Sequence, residues 1–143
     1  MTAPQGYNTV STYLAAPEAD EVITFAELTF DAAIIRGPIR APTGRLVHAV
    51  LSLGDSTVLL AAPKDGQMRL NAMLHVYVDD CDATFARAVG AGGKVMMEPS
   101  DQFYGDRTAA VWDAAGNTWW IAERRHDVPD AEVGRLADEQ RVG

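Results

Sequence analysis

The side chains able to do chemistry are unevenly spread along this chain. The densest group is Asp101-Gln102-Phe103-Tyr104-Gly105-Asp106-Arg107, with Trp119-Trp120-Ile121-Ala122-Glu123 behind it. Rings, carboxylates and a single arginine together suit stacking on a planar molecule and hydrogen bonding to its polar groups. The histidines are His48, His75 and His126. A metal that activates a substrate needs three or four converging nitrogen or oxygen ligands with positions left open. His48 and His75 are the pair around which such a site could form, whereas His126 falls in a solvated tail. Cys81 is the only cysteine, which excludes an internal disulfide and a multi-cysteine zinc site. It lies at a helix start, where a thiolate is favoured. No His or Asn accompanies it in a motif, so it reads as structural. For Arg107, an ion pair with Asp106, Asp101 or Glu98 and a ligand contact are both open. The chain has no nucleophile elbow, phosphate-binding loop, dinucleotide fingerprint or His-Glu-x-x-His helix.

These residues must be carried by a regular framework, and the hydrophobic periodicity supplies one. Tyr7–Ala15 reads as a strand and Glu21–Phe30 as an amphipathic helix after Pro17. Ala33–Ile35 is a short strand, and Gly37-Pro38 and Pro42-Thr43-Gly44 mark a loop. Arg45–Leu53 and Ser56–Ala62 are strands joined by a Gly54-Asp55 turn. Met73–Val78 is the next strand, and a helix from Ala83 to Val89 is capped by Asp80-Cys81-Asp82. Val95–Met97 is a short strand and Pro99–Gly105 a loop. Thr108–Trp112 and Thr118–Glu123 flank the turn Asp113-Ala114-Ala115-Gly116. Pro129 opens a short tail helix, and the last residues are expected to fray.

The order β-α-β-β-β therefore occurs twice. Thr24-Phe25-Ala26 recurs as Thr84-Phe85-Ala86, Asp20 as Asp80, Gly54 as Gly116 and Arg45 as Arg107, at nearly constant spacing. The expected fold class is α+β, with two tandem βαβββ modules whose curled mixed sheets form a cleft, and a short C-terminal helix. Module 1 spans about 7–62, a linker 63–70, module 2 about 71–124 and a tail 125–143. A four-stranded sheet with one helix keeps a second apolar face, so the units must cover one another or units of a second chain.

Bulk properties narrow the partners. The chain has 143 residues, is 48% hydrophobic and 22% charged, and carries a net charge of −8. That fits one domain with a real core. It gives no electrostatic reason to bind nucleic acid or an anionic membrane. A cleft sharing this charge favours cationic or neutral ligands. The N-terminal residues lack a basic stretch followed by an apolar run, so no secretory signal is expected. No stretch approaches a membrane span, and a cytoplasmic location is expected.

The duplicated order resembles the vicinal oxygen chelate superfamily of glyoxalase I, bleomycin-resistance proteins and extradiol dioxygenases. The motifs Asp101 to Arg107, Asp113-Ala114-Ala115-Gly116, Trp119-Trp120-Ile121-Ala122 and Leu74-His75-Val76-Tyr77-Val78-Asp79-Asp80 are similar to its glyoxalase-like, demethylubiquinone-methyltransferase-like branch. The branch's usual Pro-Phe is replaced by Ala114-Ala115. The resemblance implies that cleft-facing metal ligands, His or Glu in the superfamily's enzymes, come from the first and last strands of each module. Those positions fall here at Ser11 or Tyr13, Val58, Met73 and Trp120. None is His or Glu, and valine, tryptophan and methionine do not hold a hard divalent cation.

Alternation from these positions places Tyr13, Val58, Met73, His75, Tyr77 and Trp120 on the cleft wall. Arg107, Ala109 and Val111 join Trp120 if Asp113–Gly116 closes a simple hairpin, and Tyr104 lies over the mouth. Trp112 and Trp119 are expected in the core. The expected function is metal-free binding of a small molecule, cationic or aromatic, by a homodimer. By resemblance to the bleomycin-resistance proteins this would be sequestration of a drug or metabolite. The alternative is a metal-dependent lyase, isomerase or dioxygenase with a divalent metal displaced onto His48 and His75.

Overall fold

The computed structural model describes residues 3–64 and 69–140. The centre of the expected linker, 65–68, and the terminal residues 141–143, where fraying was expected, lie outside the described residues. The elements are β1 (Thr12–Ala15), α1 (Ala19–Phe30), β2 (Ala33–Arg40), β3 (Leu46–Leu53), β4 (Ser56–Ala61), β5 (Met73–Tyr77), α2 (Cys81–Gly90), β6 (Lys94–Asp101), β7 (Asp106–Trp112), β8 (Thr118–Arg124) and α3 (Asp130–Gln140). The strands form two open mixed sheets of identical topology, β1-β4-β3-β2 and β5-β8-β7-β6. In each, the first strand lies parallel to the fourth and the other pairings are antiparallel. The fold is the expected α+β duplication.

Helix α1 forms because Val22, Ile23, Phe25, Ala26 and Thr29 recur on one face and are buried there. Asp20 and Glu21 sit in its first turn, where the helix dipole favours negative charge. The helix stops at Asp31, whose left-handed backbone a short polar side chain tolerates. In α2 the Asp80 carboxylate accepts from the Ala83 N–H at 3.0 Å, an N-cap that fixes the helix start.

Each sheet turns one face to the helices. Leu14, Ala49, Leu51, Val58 and Leu60 from the first sheet and Ala109, Val111, Trp119 and Ile121 from the second join α1 and α2 in one continuous core. Trp119 is the keystone of that core. Its ring stacks on Phe30 at 5.3 Å and leans on Phe25 at 5.6 Å, so a strand of the second module closes on the helix of the first. Such aromatic pairs add about 0.5–1.5 kcal/mol each beyond area burial. Arg87 of α2 donates to the Thr29 carbonyl of α1 at 3.2 Å and ties the helices together.

Three elements differ most from the sequence reading. β1 starts at Thr12 rather than Tyr7, because the chain bends at Thr9-Val10 after a turn at Gln5-Gly6. Strands β2 and β6 are longer than expected. Pro38, after a cis peptide bond, and Pro99 sit within them. Both are edge strands with register shifts near the prolines, and an edge is where a sheet accepts a residue without an N–H.

Candidate functional site

The turns decide which residues face the helices and which face away. Two residues, Gly54-Asp55, join β3 to β4, so Leu53 pairs with Ser56 and Leu51 with Val58. Five residues, Asp113 to Asn117, join β7 to β8, so Trp112 pairs with Thr118 and Ala110 with Trp120. The longer turn is built around the Asp113 carboxylate. It accepts from the Ala115 and Asn117 N–H groups (both 2.9 Å), from Asn117 Nδ2 (2.9 Å) and from Trp119 Nε1 (2.8 Å). Asn117 thereby belongs to the turn, not to the strand.

One residue more than a simple Asp113–Gly116 hairpin reverses the side-chain faces. Arg107 is consequently not beside Trp120. It lies opposite Glu123 on the helix side, where its fork grips Asp82 of α2 (Nε and Nη2, both 3.0 Å) and reaches Asp101 (3.1 Å). The Arg107 hydrogen bonds hold the Asp82 carboxyl below its usual range, and Asp82 and then Asp101 raise the guanidinium in return. Ala109 and Val111 are core residues as well. Trp112, expected in the core, lies on the open face and is 36% exposed.

The face of Val58, which was placed by the spacing of the family positions, is corrected as well. It pairs with Thr12 and Leu51, faces α1 and is 4% exposed, while Tyr13 pairs with Leu59 on the opposite, open face. Tyr13 and Val58 thus do not share a wall. Cys81 is fully buried, with its thiol directed at the Ile121 carbonyl. Burial, and then the charge of Asp82, push that thiol up to about 11. Glu123 accepts from the Cys81 N–H at the head of α2, pointing away from Trp120.

The open face of the second sheet is laid out in rows. Met73, Thr118 and Trp112 form one; His75, Trp120 and Ala110 the next; Tyr77, Ala122 and Thr108 the third. Met73 and Tyr77 are exposed, and the rings of His75 and Tyr77 lie 5.1 Å apart. Tyr104 comes from the loop after β6, half-buried, edge-on to Phe103 at 5.2 Å. Beside this floor, at the edge strand β5, lies a cavity of about 480 Å³. It is lined by Thr12, Val58, the Leu53–Thr57 turn and β5 itself. Val58, Met73, His75 and Tyr77 meet at this cavity, while Tyr13, Tyr104, Arg107 and Trp120 are not part of its lining. Sequence reasoning had Ser56 facing the cleft but missed Thr12, Leu53, Gly54, Asp55 and Thr57 in that lining. The Gly54-Asp55 pair was the signal for the hairpin turn.

The superfamily's enzymes imply a divalent metal, and the residues present do not fit one. Met73 and Trp120 offer a thioether and an indole, and Val58 faces the core. His48 belongs to β3 of the first sheet and His75 to β5 of the second. Among the described residues no three His, Cys, Asp or Glu side chains converge as a ligand set.

Comparison with known proteins agrees with this architecture. The family model of the Glyoxalase/Bleomycin resistance protein/Dioxygenase superfamily matches residues 9–121. An uncharacterised protein of Mycobacterium bovis is 30% identical over 145 residues, covering 94% of this chain and 95% of the relative. The crystal structure of TioX from Micromonospora sp. ML1 superposes with a TM-score of 0.67 at 22% identity, over 82% of this chain and 98% of that one. The fosfomycin resistance protein FosX from Mesorhizobium loti superposes with a TM-score of 0.61 at 14% identity, over 90% and 97% of the two chains. At such identities the two structures share a fold with this protein and no more. The family match spans most of the chain and both sheets, and the chain belongs to the Glyoxalase/Bleomycin resistance protein/Dioxygenase superfamily.

Proposed function

We propose that this protein binds a small aromatic or cationic molecule without a metal, sequestering a drug or metabolite, and that it works as a homodimer. The observation that carries the reading is the surface around β5. Met73, His75 and Tyr77 border a cavity of about 480 Å³, and Trp120 continues the same floor beside His75. That volume lies within the roughly 300–1,000 Å³ range of small-molecule sites, and its lining mixes rings and apolar groups with hydroxyls and the Asp55 carboxylate, which suits stacking together with hydrogen bonding. The net charge of −8 favours cationic or neutral ligands over anionic ones. A thioether and an indole at the superfamily's ligand positions bind a ring better than they bind a hard cation.

The test is isothermal titration and thermal shift against a panel of cationic glycopeptide antibiotics and aromatic metabolites, on protein purified without chelator. At least one member binds with one site per chain, and Trp120→Ala weakens it by about tenfold, the loss of one stacking contact. Failure of the whole panel defeats the proposal. So does a stoichiometric transition metal that disappears in His75→Ala.

A further inference from the structure

The aromatic floor ends in a cluster of hydrogen-bond donors that the binding reading does not yet use. In the third row Tyr77 and Thr108 flank Ala122, which contributes only a methyl group. In the next row Arg124 pairs with Asp106. The Arg124 Nε donates to the buried Asp106 carboxylate and its Nη1 to Asp127 at 3.1 Å, while the Tyr77 phenol stands beside the same guanidinium. The Tyr104 phenol approaches from the loop and neighbours Asp106, Thr108 and Tyr77. Thr108 is fully buried, and its Oγ1 closes no hydrogen bond of ordinary geometry, even to its Tyr104 neighbour. Burial, and then the charge of Asp106, raise the Tyr104 phenol, so it stays a donor.

From this arrangement we infer that Tyr77, Tyr104 and Arg124 form a donor subsite for an uncharged oxygen acceptor, the carbonyl of an aromatic ketone, quinone or amide whose ring lies on Trp120 and His75. Donors dominate the cluster: two phenols, a threonine hydroxyl and the Arg124 Nη2 not used by Asp106 or Asp127. Its charge, however, is already answered, because one guanidinium faces two carboxylates. A second anion would meet net repulsion, whereas a carbonyl accepts hydrogen bonds without adding charge. The row spacing then places a ring attached to that carbonyl over His75 and Trp120.

This inference rests on the proposed binding function, and three matched probes separate the two: 2-acetylnaphthalene, 2-ethylnaphthalene and 2-naphthoate. Binding is followed by intrinsic tryptophan fluorescence on the intact protein. The ketone is expected to bind about tenfold tighter than the hydrocarbon and the carboxylate, as one or two net hydrogen bonds provide. Tyr77→Phe and Tyr104→Phe should each lower ketone affinity about fivefold and leave the hydrocarbon unchanged. Thr108→Val should keep or raise thermal stability while weakening the ketone. Equal binding of ketone and hydrocarbon, or preference for the carboxylate, overturns the donor subsite and leaves the aromatic floor standing. If neither neutral probe binds, the floor fails and the subsite with it.

Discussion

At the scale of single residues, Asp113 does the most to set the site without touching it. Its carboxylate gathers four donors, one of them the indole of the buried Trp119. Asp113→Asn would turn a donor toward donors. A loss of about 2–4 kcal/mol is expected in equilibrium urea unfolding, since buried donors are then left unpaired. Cys81 gives a second expectation. With its thiol pushed up to about 11 and no exposure, it should resist a thiol-specific reagent at pH 8 in the native protein and react at once in denaturant. The sequence placed Met73, His75, Tyr77 and Trp120 on one face correctly, because alternation along a single strand and its parallel neighbour is robust. It misplaced Arg107 because its face depends on the length of the β7–β8 turn, which alternation does not contain, and it put Val58 on the wrong face by carrying over the spacing of the family positions, although the β3–β4 turn was read at its right length.

At the scale of elements, the helices, the central strands and the edge strand β5 were legible to within a few residues, and the edge strands β1, β2 and β6 were not. Proline and glycine read as loop, yet β2 and β6 carry them through bulges at the sheet margins. The contact of α2 with β7 and β6 brings a pH dependence. Asp82 is held below its ordinary value by Arg107, as Asp20 is by Arg40 and Glu18 by Arg69. A carboxylate depressed in the folded state adds stability above its unfolded pKa, near 4 to 4.5, and loses it as the pH falls through the lower folded value. The melting temperature should therefore be flat above about pH 5 and fall steadily below it, with 0.5 M salt shrinking the fall. Asp82→Asn should remove part of that acid-side slope. An unchanged slope in this variant would dissociate the Arg107 fork from acid stability.

At the scale of the whole molecule, the two sheets spend their helix-facing sides on each other through α1, α2 and Trp119. The other sides keep Tyr13, Met73, Tyr77 and Trp112 at the surface, and among the described residues no helix is long and apolar enough to cross a membrane. Apolar sheet faces of this kind are ordinarily covered. The proposed homodimer would cover them, and a specific interface buries about 1,600 Å². Sedimentation velocity at micromolar concentration should give a dimer, and Tyr13→Asp should shift it toward monomer. A monomeric wild type would remove the second chain from the reading and leave the β5 cavity as a site within one chain.

The unequal turns of the two halves also bear on how such a protein can change over time. Were the pairing to follow the turn, adding or deleting one residue between β7 and β8 would exchange the inner and outer side chains of a whole strand, against the burial of Trp119 and Ile121. Adding or deleting two would leave them in place. A duplicated ancestor that drifted by an odd number at one turn would present a new wall to its ligand while keeping nearly every residue it had. In that sense the stretch from Asp113 to Asn117 is a point of inheritance as much as of structure: relatives differing there in odd steps should differ in what they hold, and those differing in even steps should not.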